Sequence, residues 1–186
     1  MKWSADFGEI IKYNEDRISK FNFDKPTADF LINYGLPKET APFLTFSNDT
    51  DEQYEGIGKL THKFDFLEQE YERYIVIGSN GNGDEIAIDK EDNCKIKLLD
   101  HEDYFSEQFM NSNIEKLAGA LMIYQEFVVA VLEKYGEDGL MDCKYAHEDI
   151  QRLRESLTQN DEDSIIDGSM WSEEIEILIV NKEEIQ

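Results

Sequence analysis

The segment YIVIGSNGNGDEIAID, residues 74–89, places two runs rich in β-branched residues on either side of a loop of glycine and asparagine. Such a loop either cradles a phosphate or makes a tight turn. A Walker phosphate loop needs a lysine after its last glycine, and no basic residue lies between Arg73 and Lys90. A dinucleotide-binding loop leads into a helix, whereas EIAID alternates like a strand. The segment therefore predicts a β-hairpin, with glycine and asparagine at its turn positions.

The segments around this hairpin continue the strand pattern. Ile86 and Ile88 share one face of EIAID, and Ile96 and Leu98 share one face of KIKLL, opposite two lysines. PFLTF, residues 42–46, is a further short apolar run. Because the connections between these segments are short, the strands most simply form an antiparallel meander.

Helical spacing marks two segments before these strands. Phe7, Ile10 and Ile11 are three and four residues apart and predict an N-terminal helix. A second helix is predicted over residues 27–34. Gly35 suits the left-handed position that ends a helix, and the proline two residues later prevents its continuation.

Three helices are predicted in the last part of the chain. Apolar residues step by three and four over residues 114–135, SNIE at residues 112–115 fits a capping box, and Gly136 can end the helix. Residues 147–157 have one apolar side and form the next helix. MWSEEIEILIV, residues 170–180, fits both a helix and a strand, and we favour the helix.

The charge of the chain limits its partners. Among 186 residues, 42 are acidic and 18 are basic, which gives a formal net charge of -24. Such a charge repels nucleic acid and anionic lipid, and it favours rapid capture of a basic partner. High negative charge also keeps a protein soluble without any further role. Because 40% of the residues are hydrophobic, we expect a packed core rather than disorder.

Several features indicate a cytoplasmic protein with one domain over residues 1–186. The length fits one ordinary domain, and neither a repeat nor a linker interrupts it. Cys94 and Cys143 have no disulfide or zinc spacing and are interpreted as reduced thiols. The first residues lack the apolar run of a signal peptide, and no stretch is apolar and long enough to span a bilayer.

No catalytic or metal-binding pattern stands out. Residues 89–100 lack the glycine and the final glutamate of a calcium loop, and lysines occupy two of its ligand positions. His62, His101 and His147 do not have metal-ligand spacing. We therefore predict a protein that is not an enzyme and has no cofactor or metal. The alternative, an enzyme that uses Cys143 or His101, predicts turnover that alanine at either position abolishes.

Exposed aromatic candidates occur within acidic loops. Tyr54 lies in DTDEQYEG, and Tyr104 lies in HEDYF. Aromatic side chains inside an acidic rim suit a protein–protein surface, although aromatics at strand ends equally suit a core. The candidate partner-binding residues are Asp49, Asp51, Glu52, Tyr54, Asn80, Asn82, Asp84, His101, Glu102, Asp103 and Tyr104.

The order of motifs resembles the SUKH superfamily, and within it the fourth group, of Smi/Knr type. The matching pieces are FLINYGLP, FLTF, YIVIGSNGNGDEIAID, NSNIEKLAGAL and IIDGSMW, all of which lie within residues 26–180. The resemblance implies a single α+β domain, with a twisted, mostly antiparallel sheet flanked by helices. The matched residues look structural, so no contact residue is carried over from the family.

The resemblance also implies a function. Many bacterial SUKH proteins are similar to immunity proteins that are encoded beside polymorphic toxins, often nucleases, and that bind and block them. We therefore predict an immunity protein, within a toxin–antitoxin pair, that neutralises a cognate basic toxin by stoichiometric binding. It would act as a monomer or weak homo-oligomer. The alternative is a regulatory or scaffold domain of Smi/Knr type, which would bind several endogenous proteins and protect against no toxin.

Overall fold

The predicted hairpin lies inside an antiparallel seven-stranded sheet in the computed structural model, which describes residues 2–184. The strands are β1 (Ile10–Ile11), β2 (Leu36–Pro37), β3 (Glu39–Thr40), β4 (Leu44–Phe46), β5 (Gly58–Lys59), β6 (Tyr74–Ser79), β7 (Glu85–Asp89), β8 (Lys95–Asp100) and β9 (Ser106–Asn111). The sheet order is β3-β4-β6-β7-β8-β9, with β5 also paired to β6, and β1 pairs separately with β2. The run from β6 to β9 is the predicted meander.

Helices flank this sheet, which confirms the predicted α+β fold. They are α1 (Glu15–Ile18), α2 (Lys25–Asn33), α3 (Leu60–Lys63), α4 (Ile114–Tyr135), α5 (His147–Asn160) and α6 (Met170–Glu184). The ambiguous segment near the C-terminus is thus helical. None of the helices within residues 2–184 combines the length and the apolar character needed to cross a membrane.

The two faces of the sheet bury different clusters. On the main face, isoleucines of β6 and β7, such as Ile75 and Ile86, pack with the buried stripe of α4. Fully burying one such side chain contributes about 1.5–3 kcal/mol. On the opposite face, Val76 and Ala87 pack with Leu60 of α3 in a smaller cluster. The period-two alternation of β6 and β7 therefore serves two cores, one on each side.

The predicted N-terminal helix is wrong. Residues 5–7 form only one 3-10 turn, which ends at Gly8 with φ 64°. Ile10 and Ile11 then pair as a strand with Pro37 and Leu36. The apolar spacing correctly indicated side chains that pack in the core. Pairing with β2, however, supplies the backbone hydrogen bonds that a helix would otherwise have made.

The start of α4 also differs from the prediction. The N-cap is Asn113, whose side-chain oxygen accepts a hydrogen bond from the backbone N–H of Lys116 at 3.0 Å. Ser112 instead donates its hydroxyl to Asp161 at 2.7 Å. The capping box is therefore absent because a partner almost 50 residues away in sequence engages the serine. Gly136 ends α4 as predicted, with φ 86°.

Candidate functional site

Two of the predicted loops meet at one end of the sheet. The antiparallel order places the β6–β7 turn and the β8–β9 turn at the same end. There, Nδ1 of His101 lies 2.9 Å from Oδ1 of Asp84, and the same oxygen accepts from the backbone N–H of His101 at 3.3 Å. The strand order therefore brings together two turns whose contact could not be predicted from the sequence.

The β6–β7 turn is organised by Asn80. Its side-chain oxygen accepts from the backbone N–H of Asn82 at 3.0 Å and of Asp84 at 2.9 Å, while its amide donates to the Asp84 carboxylate at 2.9 Å. Gly83 has φ 91°, a value that suits glycine. This confirms the hairpin interpretation of the glycine-rich segment. Asn82, by contrast, is exposed at the tip.

The β8–β9 turn holds itself in a similar way. Oδ1 of Asp100 accepts from the backbone N–H groups of Glu102 and Asp103 at 2.8 and 3.2 Å. Tyr104 and Phe105 both have positive φ, and the turn directs their side chains into different environments. Phe105 is buried in the smaller core, whereas Tyr104 is 85% exposed. Only the tyrosine is therefore available to a partner.

The third predicted loop lies elsewhere, in the connection between β4 and β5. Arg17 of α1 holds it through Asp49, at 2.6 Å, and through Asp51. The hydrogen bond and charge of Arg17 keep the pKa of Asp51 below its usual range. Glu52 and Tyr54 are exposed there. Because β4 is antiparallel to β6, with Phe46 opposite Gly78, the connection after β4 leads away from the β6–β7 turn, and the candidate residues form two separate groups.

A groove of about 780 Å³ opens beside the two turns. One wall is Phe43 with residues 80–82 of the β6–β7 turn, and the other wall is formed by α6 with Glu173 and Ile177. Its floor includes Gln108 of β9, which donates to the Gly168 carbonyl before α6 at 3.2 Å. The groove could not be predicted from the sequence because its two walls, at residues 80–82 and at Glu173, are more than 90 residues apart in the chain. The apolar run PFLTF gave no sign that Phe43 is 86% exposed.

The groove has a one-sided charge. Its acidic lining residues are Asp84, Asp100, Glu107, Glu173 and Glu174, and neither lysine nor arginine lines it. Four other depressions in the described part of the chain each include at least one lysine or arginine. The groove is therefore a place where the overall negative charge of the protein is concentrated and open to solvent.

The groove carboxylates differ in how far they are already compensated. Glu107 pairs with Lys97 at 2.9 Å. Glu174 accepts a hydrogen bond from the Tyr124 hydroxyl at 2.6 Å, and burial raises its pKa above the usual value. Glu173 is exposed, and within residues 2–184 it forms no ion pair. A cationic group of another molecule would therefore find one uncompensated carboxylate here, that of Glu173.

Asp84, Asp100 and His101 also offer ligand atoms within 4.8 Å of one another. Three such groups could hold a metal ion, but each already has a role in the turns. Asp100 accepts two backbone N–H groups, and Asp84 bonds to both His101 and Asn80. These bonds account for the cluster, so we assign no metal to it.

The bond between the turns gives a prediction about pH. The hydrogen bond to Asp84 raises the pKa of His101 above its ordinary value of 6.5, even though partial desolvation acts in the opposite direction. A raised folded-state pKa means that this link stabilises the protein fully below the unfolded pKa and is lost as pH rises through the folded pKa. An NMR titration of the imidazole should show the raised pKa, and Asp84→Asn should lower it. An unchanged His101 pKa in that variant would contradict the assigned link.

Comparison with protein families gives one match. A family model described as SUKH-4 immunity protein matches residues 4–177. Neither the comparison with curated proteins nor the comparison with solved structures returns a match. The matched region contains the whole meander, both turns and the residues of α6 that line the groove.

Proposed function

The chain belongs to the SUKH-4 immunity protein family, and from this we propose that it neutralises one cognate toxin domain by stoichiometric binding. The family supports an immunity function in general. In this proposal residues 1–186 act as a single domain in the cytoplasm, where the chain meets the toxin and covers the surface on which the toxin acts.

We propose further that the toxin domain is basic, as a nuclease would be. A protein that grips phosphates carries lysine and arginine at its active surface. An inhibitor with a formal net charge of -24 and an acidic groove is electrostatically complementary to such a surface. The negative charge of the chain and of its groove is the observation that carries the proposal beyond the family assignment.

A non-enzymatic role is part of the proposal. The side chains that could perform acid–base chemistry at the sheet end already have hydrogen-bond partners: Asp84 and His101 bond to each other across the two turns, and Asp100 bonds within its own turn. Cys94 is buried, and the Cys143 thiol lies 3.8 Å from the carbonyl of Met141 as a weak donor. These contacts favour inhibition in which the protein covers the toxin surface over inhibition in which it chemically modifies the toxin.

The test is protection of cells that express the toxin domain that this proposal expects to be encoded beside the gene. We expect co-expression of the chain to restore growth, and an inactivated toxin domain to co-purify with it in a 1:1 complex. Toxin expressed with an empty vector is the control. Absence of protection would reject the proposal, and binding to several endogenous proteins without protection would favour the regulatory Smi/Knr-type alternative.

The same complex tests whether the partner is basic. Raising the ionic strength from about 0.01 M to 0.15 M shortens the Debye length from about 30 Å to about 8 Å. If opposite charges steer the encounter, the association rate constant should fall by about tenfold or more, with a smaller change in the dissociation rate. A salt-independent association rate would reject steering and leave neutralisation in place.

A further inference from the structure

We propose that the groove between the β6–β7 turn and α6 is the docking surface for an arginine-bearing segment of the toxin. This inference rests on the proposed immunity function and adds the place and chemistry of the contact. The groove, at about 780 Å³, is large enough to take one or two side chains with their backbone.

The apolar part of the groove is already presented to solvent. Phe43 is 86% exposed and has φ 57°, a backbone conformation that phenylalanine seldom adopts. It packs over Gly81, where an added Cβ would lie only 3.1 Å from the Cβ of Phe43. Across the groove, Ile177 is 51% exposed. An aromatic side chain held at a rim, opposite an aliphatic one, is typical of an interface anchor.

The charged part of the groove selects a cation. Asp84 and Glu107 face His101 and Lys97, but Asp100, Glu173 and Glu174 form no ion pair within residues 2–184. Glu173 is exposed and is therefore free to turn toward an incoming cation. Asp100 and Glu174 are already hydrogen-bonded, to backbone N–H groups and to the Tyr124 hydroxyl, so within residues 2–184 Glu173 is the lining carboxylate left for a basic side chain.

Arginine fits this combination better than lysine does. Its planar guanidinium stacks on an aromatic face, here that of Phe43, and presents paired N–H donors to a carboxylate such as Glu173. Its aliphatic stem can pack on Ile177 while the charged head stays among the acids. A second copy of this chain would instead bring another net charge of -24 to the same groove, so self-association is disfavoured.

The experiment measures binding of the inactivated toxin domain from the adjacent reading frame to purified variants, by titration calorimetry. Phe43→Ala should weaken the Kd by about tenfold or more, because it removes the aromatic anchor. Glu173→Lys should weaken it by about 10- to 100-fold, because a like charge then faces the guanidinium. Both residues are exposed, so thermal unfolding should remain near that of the unmodified protein.

Matched controls separate the groove from general charge and hydrophobicity. Glu133→Lys makes the same charge change at an exposed position of α4, and Phe66→Ala removes another aromatic ring that is 71% exposed. Each control should leave the Kd within about twofold. If Phe43→Ala and Glu173→Lys behave like these controls while the unmodified protein binds and protects, the groove assignment is wrong and the proposed function stands. If the unmodified protein does not bind the toxin domain, the groove assignment and the proposed function are both wrong.

A further experiment tests whether the groove binds the toxin or a second copy of this chain. Sedimentation of the chain alone should show a monomer or only weak association at micromolar concentration. A stable dimer that Phe43→Ala dissociates would assign the groove to a second copy and overturn the proposal. An unchanged Kd for the inactivated toxin domain after all its exposed arginines are replaced by lysine would overturn the preference for arginine.

Discussion

Replacement of Trp171 by alanine is expected to lower the free energy of unfolding by about 3–5 kcal/mol. The side chain is fully buried, and its ring lies 5.8 Å from the ring of Tyr124 on α4. Its removal leaves a cavity where α6 meets α4, which the surrounding helices can close only in part. Because folded domains are stable by only about 5–15 kcal/mol, this variant should lie close to global unfolding. Urea denaturation followed by circular dichroism measures the loss.

Trp171 also completes a buried polar network, which a second variant isolates. Its Nε1–H donates to Oδ1 of Asn111 at 3.0 Å, and the Asn111 amide donates to Asp161 at 3.2 Å. Trp171→Phe keeps most of the ring volume and leaves the Asn111 oxygen without this donor, at a cost of about 1–3 kcal/mol. Met141→Ala, at a side chain that is 82% exposed, should change stability by no more than about 0.5 kcal/mol.

The loss of unfolding free energy should therefore be largest for Trp171→Ala, smaller for Trp171→Phe and smallest for Met141→Ala. If phenylalanine were as destabilising as alanine, the hydrogen bond rather than packing would dominate at this position. If both were as mild as Met141→Ala, the burial of Trp171 would be contradicted. A strong loss at position 171 with an unchanged cooperativity parameter m would indicate that the native state is destabilised without a change in the surface exposed on unfolding.

The central strands and the long helix could be predicted because their signals are local. Alternation in EIAID and KIKLL places Ile88 and Ile96 on the main core face, and the structure pairs these two residues directly. Likewise, the three-and-four spacing of residues 114–135 is a property of one helix and needs no partner to be recognised. Where the hydrophobic period is sustained over several helical turns or a whole strand, the sequence alone is enough to predict the type of element.

Other elements needed partners that the sequence does not show. Strand β9 pairs Phe109 with Lys97 beyond a bulge, and its sequence SEQFMN is too polar to predict a strand. Ile10 and Ile11 became a strand only because β2 lies beside them. In each case tertiary hydrogen bonding overrides a weak or misleading local pattern.

The candidate site divides in the same way. The turn at residues 80–84 could be predicted from asparagine and glycine, since those residues satisfy the turn locally. Its contact with His101 follows from strand order, which had to be known first. The α6 wall of the groove, with Glu173 and Ile177, comes from a helix whose type the sequence left ambiguous. Groove residues therefore could not be grouped before the fold was available.

Replacement of Gly35 by alanine should destabilise the protein by about 3–5 kcal/mol, because two separate costs combine there. The residue has φ 71°, which L residues adopt only with strain. In addition, an ideal Cβ would lie 2.0 Å from the backbone oxygen of Ile11. Backbone cannot rotate away as a flexible side chain can, so the pairing of Ile11 with Leu36 must shift.

Gly168→Ala separates these two costs. Gly168 has φ 79°, close to that of Gly35, but beyond its two chain neighbours no residue has an atom within 4 Å of its ideal Cβ. Its substitution should therefore cost only the conformational part, about 1 kcal/mol. The difference between the two unfolding free energies measures the close approach of Gly35 to β1. Equal losses would show that positive φ alone requires glycine at position 35, whereas a larger loss for Gly35→Ala would show that the β1–β2 pair requires it as well.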